Sequence, residues 1–230
     1  MESLLGKRDK RKFKINMTNV IEILKKVGAL LPNGHFVGTN GGHIDTYINK
    51  DMLFLHPELT SKVGRLFAEK YKDTDIDAVV APALGGIILS QWTAYHLSKF
   101  KGKEVLAIYT EKTSEKDQVF TRGYDAFVKG KKVLVVEDLT TTGASVMKVV
   151  NAVKRAGGVV VEICVMVNKN PGAVNSKTLG VSFSALSEYP VFVYDINNCP
   201  LCKSGVPINT KVGHGKKFLE VHQPKNNNAK

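Results

Sequence analysis

Cysteine is scarce here, with three in 230 residues. That is too few for a disulfide framework and fits a reducing compartment. Long apolar runs are missing too: no stretch approaches the roughly 20 residues needed to cross a bilayer. The opening Met1-Glu-Ser-Leu-Leu-Gly-Lys-Arg8 lacks the apolar core of a signal peptide. A cytoplasmic protein with no membrane partner is therefore expected. Acidic residues fall short of basic ones, 21 against 33, which leaves a net charge of +12. Such a surplus attracts polyanions of any sequence. Much of it lies in the run Lys7 to Lys14 and in the tail Lys211 to Lys230, which read as solvated or flexible ends. A basic enzyme acting on an anionic nucleotide accounts for the charge without RNA, so nucleic-acid binding is not expected.

What is present suffices for one core, since 43% of the residues are hydrophobic. The pattern predicts an N-terminal extension over 1–18, one domain over 19–207, and a flexible basic tail over 208–230. Helices are expected from about Asn19 to Val27 and Leu59 to Lys70, around a Gly-rich segment from Gly38 to Ile48. Strands and helices then alternate. Strands are predicted at Asp77–Ala81, Glu104–Tyr109, Val133–Val136, Val159–Val167, Val181–Leu186 and Val191–Tyr194. Helices are predicted at Gly86–Lys99 and onward from Gly143. The alternation predicts the α/β class, a mostly parallel sheet with helices on both faces. Ligands in such sheets bind outside the carboxyl ends of the strands.

The most informative segment is Val133-Leu-Val-Val-Glu-Asp-Leu-Thr-Thr-Thr-Gly-Ala-Ser145. A buried strand ends on Glu137 and Asp138, and a hydroxyl-rich loop then opens a helix with Val146, Val149, Val150 and Val153 at helical spacing. Backbone N–H groups and hydroxyls from Thr140 to Ser145 can hold an anion at the positive end of that helix. The carboxylates would repel a phosphate. They can instead accept hydrogen bonds from vicinal sugar hydroxyls or hold a metal through water.

This segment resembles the phosphoribosyl pyrophosphate (PRPP) motif of type I phosphoribosyltransferases. The resemblance implies ribose contacts from Glu137 and Asp138. It also implies a 5-phosphate cradle from Thr140, Thr141, Thr142, Gly143, Ala144 and Ser145. Two further strand ends fit. Ala81-Pro-Ala-Leu-Gly-Gly-Ile87 allows a close backbone turn and is similar to the pyrophosphate loop, with N–H groups near Leu84 and Gly85 facing the leaving group. The polar loop from Glu111 to Tyr124 has the length of a lid. Its cations Lys112, Lys116 and Arg122 can stabilise departing pyrophosphate, Lys112 foremost.

Gly34-His-Phe-Val-Gly-Thr-Asn-Gly-Gly-His-Ile-Asp-Thr-Tyr-Ile-Asn-Lys50 resembles the N-terminal signature of orotate phosphoribosyltransferases, and the overall likeness runs from about Val27 to Pro207. It implies the type I phosphoribosyltransferase fold, with a small hood from about 30–58 and 196–207. The implied reaction joins orotate and PRPP to give orotidine 5′-monophosphate and pyrophosphate, in pyrimidine (UMP) biosynthesis, with inversion at the anomeric carbon. Lys112 and Asp138 are the implied catalytic residues, and Thr39, Tyr47, Ile48, Thr141 and Lys169 the orotate contacts. Mg²⁺ is the implied cofactor, held mainly through PRPP and water rather than directly by the protein, and a homodimer the implied assembly. A phosphoribosyltransferase for another base, or a non-catalytic PRPP sensor, is the alternative.

The chain departs from that family at several positions. Thr39-Asn40-Gly41 replaces a Thr-Ser-Gly-like turn, and Ile44 stands where a serine is usual. Lys169 replaces an arginine, a point charge in place of a bidentate fork. Gly85 falls near a usual lysine, and Glu111-Lys112 replaces an Arg-Lys pair. Cys199-Pro-Leu-Cys202 has half the spacing of a zinc knuckle, but no second cysteine pair exists and only His214 follows nearby. A structural turn is expected there, with a metal site shared across a dimer, or one using distant His35, as the alternatives. Cys164 reads as a small core residue. Trp92 and Tyr95 read as core or dimer contacts, and His56, His96 and His222 receive no role.

Overall fold

The computed structural model describes residues 19–222. The expected extension over 1–18 and the end of the tail, 223–230, lie outside the described residues. Helix α1 (Val20–Lys26) opens where the Asn19 side chain accepts from the Ile21 N–H at 2.8 Å, as an N-cap does. Four two-residue strands follow, β1 (Leu30–Leu31), β2 (Phe36–Val37), β3 (His43–Ile44) and β4 (Tyr47–Ile48). After them come the short α2 (Asp51–Phe54) and α3 (Pro57–Tyr71). Strand β1 pairs with β4 and β2 with β3, both antiparallel.

The remaining elements form the frame. They are β5 (Ala78–Pro82), α4 (Gly85–Lys101), β6 (Leu106–Lys112), β7 (Gln118–Val119), α5 (Tyr124–Val128), β8 (Lys132–Thr140), α6 (Ala144–Arg155), β9 (Val159–Asn168), α7 (Ser176–Leu179) and β10 (Phe183–Glu188). Six of their strands make one sheet in the order β10-β9-β8-β5-β6-β7, parallel except for the β6–β7 pair. β11 (Val193–Tyr194) instead joins β3 and β2 in a three-stranded hood sheet. The chain then forms α8 (Pro200–Lys203) and α9 (Gly215–His222).

β5 is buried along its whole length, as a parallel strand covered on both faces must be. Alternate residues feed two cores. Val79, Ala81, Leu134 and Val136 pack with α3 and α4, while Ala78, Val80, Val133 and Val135 meet the valines of α6. The connections β5-α4-β6 and β8-α6-β9 run opposite ways across the sheet, so right-handed crossovers put α4 and α6 on opposite faces. A crevice must then open between the carboxyl ends of β5 and β8. Among the described residues no helix is long and apolar enough to cross a membrane.

Two expectations need correction. Glu111 to Tyr124 is a hairpin rather than an open loop, with Glu111 opposite Val119 and Lys112 opposite Gln118. The buried Thr110 hydroxyl donates to Gln118 Oε1 at 2.8 Å, and Arg155 of α6 holds Asp117 and the Gln118 carbonyl. These bonds draw the returning strand back onto the sheet. The tail is likewise ordered as far as His222. The Asn209 N–H donates to the His35 carbonyl at 2.7 Å, the His214 N–H donates to the Val37 carbonyl at 2.9 Å, and Phe218 packs on His43 at 4.9 Å between ring centroids.

α3 meets the backbone of α4 at Gly64, where a Cβ would overlap that of Trp92 and lie 2.8 Å from its carbonyl carbon. Alanine would gain about 0.5–1 kcal/mol in helix propensity, but the backbone it meets cannot swing aside, and overpacking costs about 1–3 kcal/mol. Gly64→Ala should therefore lower the urea midpoint of unfolding. An unchanged or raised midpoint would refute this packing argument.

Candidate active site

At the crevice lies a cavity of about 390 Å³ whose lining includes Thr39, Tyr47, Ile48, Lys50, Glu137, Asp138, Thr140 to Thr142, Ala144, Ser145 and Lys169. Strand β8 delivers the two carboxylates. Its alternation turns Asp138 to the same side as Leu134 and Val136 and Glu137 to the other. Both are buried, at 6% and 7% exposure. The Asp138 N–H donates to Glu137 Oε1 at 3.0 Å, and the Leu139 N–H to Asp138 Oδ1 at 2.6 Å. Burial, then the Asp138 charge, pushes the Glu137 carboxyl well above the usual range. Asp138 is raised by burial as well, but Lys50 and the Leu139 N–H favour its charged form. The pair thus carries one negative charge more readily than two.

Lys50 is the residue that sequence reasoning missed. Its Nζ lies 3.1 Å from Asp138 Oδ2 and 3.2 Å from Asp51 Oδ1. Burial opposes its charge, yet Asp138 and Asp51 hold its pKa above the ordinary value. A Cβ on Gly85 would overlap Asp138 Oδ2 and lie 2.8 Å from this ammonium. Glycine at 85 therefore leaves room for a cation brought from the hood. The only available sequence signal was Lys50 closing the hood segment.

After β8 the chain turns through Gly143, whose φ of 75° suits glycine. The Gly143 N–H donates to Thr140 Oγ1 at 3.0 Å, which folds the loop back on itself. α6 starts without a side-chain cap, leaving first-turn N–H groups for an anion. α4 likewise starts uncapped at Leu84, after the cis Ala83–Leu84 peptide. Lys169 enters from the end of β9, its N–H bonded to the Thr140 carbonyl at 2.8 Å. Burial lowers its pKa, against the pull of Asp138.

All five expected base contacts, Thr39, Tyr47, Ile48, Thr141 and Lys169, line this cavity, as do Glu137, Asp138, Thr140, Thr142, Ala144 and Ser145. Gly143 stands behind the loop as the cap of α6. Gly85 abuts Asp138, whereas the Leu84 side chain is 81% exposed. The hairpin cations are not brought to the cavity. Lys112 ends β6, Lys116 occupies the turn with a φ of 63°, and Arg122 is paired with Glu111 at 3.3 Å. Cys164 is fully buried in the core. Trp92 packs on α3 while Tyr95 is 51% exposed.

A carboxyl whose folded pKa is raised costs stability once pH exceeds its unfolded pKa, because the unfolded chain has then released a proton that the native chain keeps. Glu137→Gln keeps an acceptor for the Asp138 N–H and removes that cost. The variant should be more stable than the parent at pH 7–8, with the gain shrinking toward pH 4. Thermal melts across that range provide the check, and a gain that grows on acidification would sink the assignment.

Residues 49–194 match the family model described as phosphoribosyl transferase domain. Over 197 residues the chain is 38% identical to an orotate phosphoribosyltransferase of Thermotoga maritima, covering 85% of this chain and 98% of that one. Over 193 residues it is 37% identical to that of Desulforamulus reducens, covering 84% and 95%. The solved orotate phosphoribosyltransferase of Aeropyrum pernix superposes with a TM-score of 0.56 at 25% identity, covering 74% of this chain and 93% of that one. The strand order, the acidic strand end and these matches agree: the chain belongs to the phosphoribosyltransferases, in the orotate phosphoribosyltransferase family.

Proposed function

We propose that this chain transfers the phosphoribosyl group of PRPP to orotate, releasing pyrophosphate, in the cytoplasm. The observation that carries the reading is the convergence on one cavity of an acidic pair, a hydroxyl-rich helix start, a hood bearing Tyr47 and Ile48, and the half-buried Lys169 from the end of β9. In the reaction the bond from the anomeric carbon to pyrophosphate oxygen breaks, a bond to the orotate ring nitrogen forms, and the proton that nitrogen carried passes to the departing pyrophosphate or to solvent. No protein nucleophile is needed. The protein's work is orientation, stabilisation of charge and exclusion of water.

Asp138 and Glu137 accept the ribose hydroxyls, Thr140 to Ser145 hold the 5-phosphate, and the backbone at Leu84 and Gly85 faces pyrophosphate. Tyr47, Ile48, Thr39 and Thr141 bound the pyrimidine, and Lys169 meets its carboxylate. In the unliganded chain Lys50 compensates Asp138; on PRPP binding it exchanges that carboxylate for pyrophosphate oxygen. Carboxylates already paired with an ammonium fit a site for cationic charge. Mg²⁺, carried mainly by PRPP and water, supplies charge neutralisation at the leaving group. Lys112 and Lys116 reach pyrophosphate from the other subunit of a homodimer. The exposed row Leu84, Ile88 and Tyr95 on α4 supports that assembly.

Steady-state assays with orotate, uracil, hypoxanthine and adenine test the reading. Orotate-dependent pyrophosphate release should fall by about 100-fold or more in Asp138→Asn. Lys169→Ala should raise the orotate KM by about 10- to 150-fold, the worth of a hydrogen bond to a charged group, while leaving the KM for PRPP within a few fold. PRPP binding without turnover on any base, or turnover with another base alone, would overturn the proposal.

A further inference from the structure

Away from the cavity, on the far side of the hood, four potential ligands meet. His35 precedes β2, His43 opens β3, Cys199 precedes α8 and Cys202 lies within it. Their ligating atoms all fall within 4.8 Å of one another. His35 Nε2 lies 2.8 Å from His43 Nδ1, 3.7 Å from Cys202 Sγ and 3.8 Å from Cys199 Sγ, and Cys202 Sγ lies 3.2 Å from His43 Nδ1. A tetrahedral zinc site with bonds of about 2.05 Å to nitrogen and 2.3 Å to sulfur has ligand–ligand edges of roughly 3.3–3.8 Å. The three edges that involve sulfur come within about 0.4 Å of that shape, the His35–His43 edge is about half an ångström short of it, and all four atoms stay within 4.8 Å of one another, so small side-chain adjustments would close the tetrahedron.

The proton inventory points the same way. His35 Nδ1 lies 2.7 Å from the Val206 carbonyl, which can only accept. Nδ1 of His35 therefore carries the proton, and in the neutral ring Nε2 turns a bare lone pair toward the cluster. A backbone carbonyl in this role is the usual support of a metal-bound histidine. His35, His43 and Cys199 are buried, at 2%, 0% and 0% exposure, so little water reaches the lone pairs. Buried polar atoms need partners. One cation would satisfy all four ligands together.

We propose that His35, His43, Cys199 and Cys202 form a structural Zn²⁺ site that clamps the N-terminal hood to the C-terminal segment. Two thiolates and two neutral imidazoles select zinc among divalent ions, and four protein ligands close the site to substrate. The bond set joins residues up to 167 positions apart. It also fixes β3, whose next residue, Ile44, lines the active-site cavity. This inference does not depend on which base is transferred, and metal content tests it apart from activity.

Full-length protein reconstituted with Zn²⁺ and dialysed should hold about one zinc per chain by elemental analysis. Replacement with Co²⁺ should give thiolate-to-cobalt charge transfer in the near ultraviolet and the intense visible bands of tetrahedral cobalt. Cys202→Ser should bind Zn²⁺ more than about 100-fold more weakly, since losing only a supporting partner costs about 10–100-fold. A chelator should lower the Tm of the parent but not that of the variant. If the variant fails to fold, the cobalt spectrum of the unaltered chain decides. A weak octahedral spectrum, a zinc-free folded chain after reconstitution, full zinc retention in Cys202→Ser, or a Cys199–Cys202 disulfide in place of the metal would each overturn the proposal.

Discussion

Two carboxylates buried side by side at the end of β8 set the terms for the rest of the site. A lone buried carboxylate costs several kcal/mol when ionised, and a second beside it adds repulsion. The strand cannot turn them outward, because its neighbours Leu134, Val135 and Val136 are committed to the two cores. Compensation must come from beyond the sheet, and Lys50 supplies it from the hood at 3.1 Å. Gly85 then has to lack a side chain, since any Cβ there would occupy the space of the ion pair. Strand β8, the hood and the turn that opens α4 are thus bound by one electrostatic requirement.

The same requirement bears on ligand binding. In the unliganded site burial raises the pKa of both carboxyls, and the Lys50 ammonium beside Asp138 opposes that rise. A sugar whose hydroxyls donate to both carboxylates would, under the proposed function, favour their ionised forms, and a cation bound with the leaving group would offset the added charge. In the proposed reaction, binding and charge development would draw on groups whose interactions in the free chain are already incomplete. Preorganisation of this kind needs little rearrangement at the moment of bond breaking.

How much of this was legible in the sequence follows from the range of the interactions. The stretch from Val133 to Ser145 is local: an apolar run, two acids, hydroxyls and a helix start declare a strand, a loop and an anion cradle within thirteen residues. The alternating elements likewise gave the parallel sheet, and with it the end where a ligand binds. The hairpin from Glu111 to Tyr124 has no local signature that tells it from a polar loop, because its pairing depends on Thr110 meeting Gln118 and on Arg155 of a distant helix. Lys50 was passed over for a similar reason, since its partner lies on another layer. His43 carries no signal of its own. Only the pairing of β3 with β2 and β11 brings it beside His35 and the Cys-x-x-Cys turn.

The hood is where those long-range constraints meet. Its sheet has three strands of two residues each, far short of what an isolated sheet needs to stand alone. A small apolar cluster, chiefly Phe36, Ile44 and Val191, adds modest burial. Short strands with so few apolar contacts open readily, yet Ile44 on this sheet, and Tyr47 and Ile48 on β4 of the neighbouring β1–β4 pair, shape the lining of the active-site cavity. Something outside the strands has to hold them. The ion pair from Lys50 ties one side of the hood to β8, and the His35–His43–Cys199–Cys202 cluster is placed to tie the other to the C-terminal segment. With both tethers the hood is defined at each end, and the space between them takes its shape from the sheet below rather than from the strength of its own hydrogen bonds.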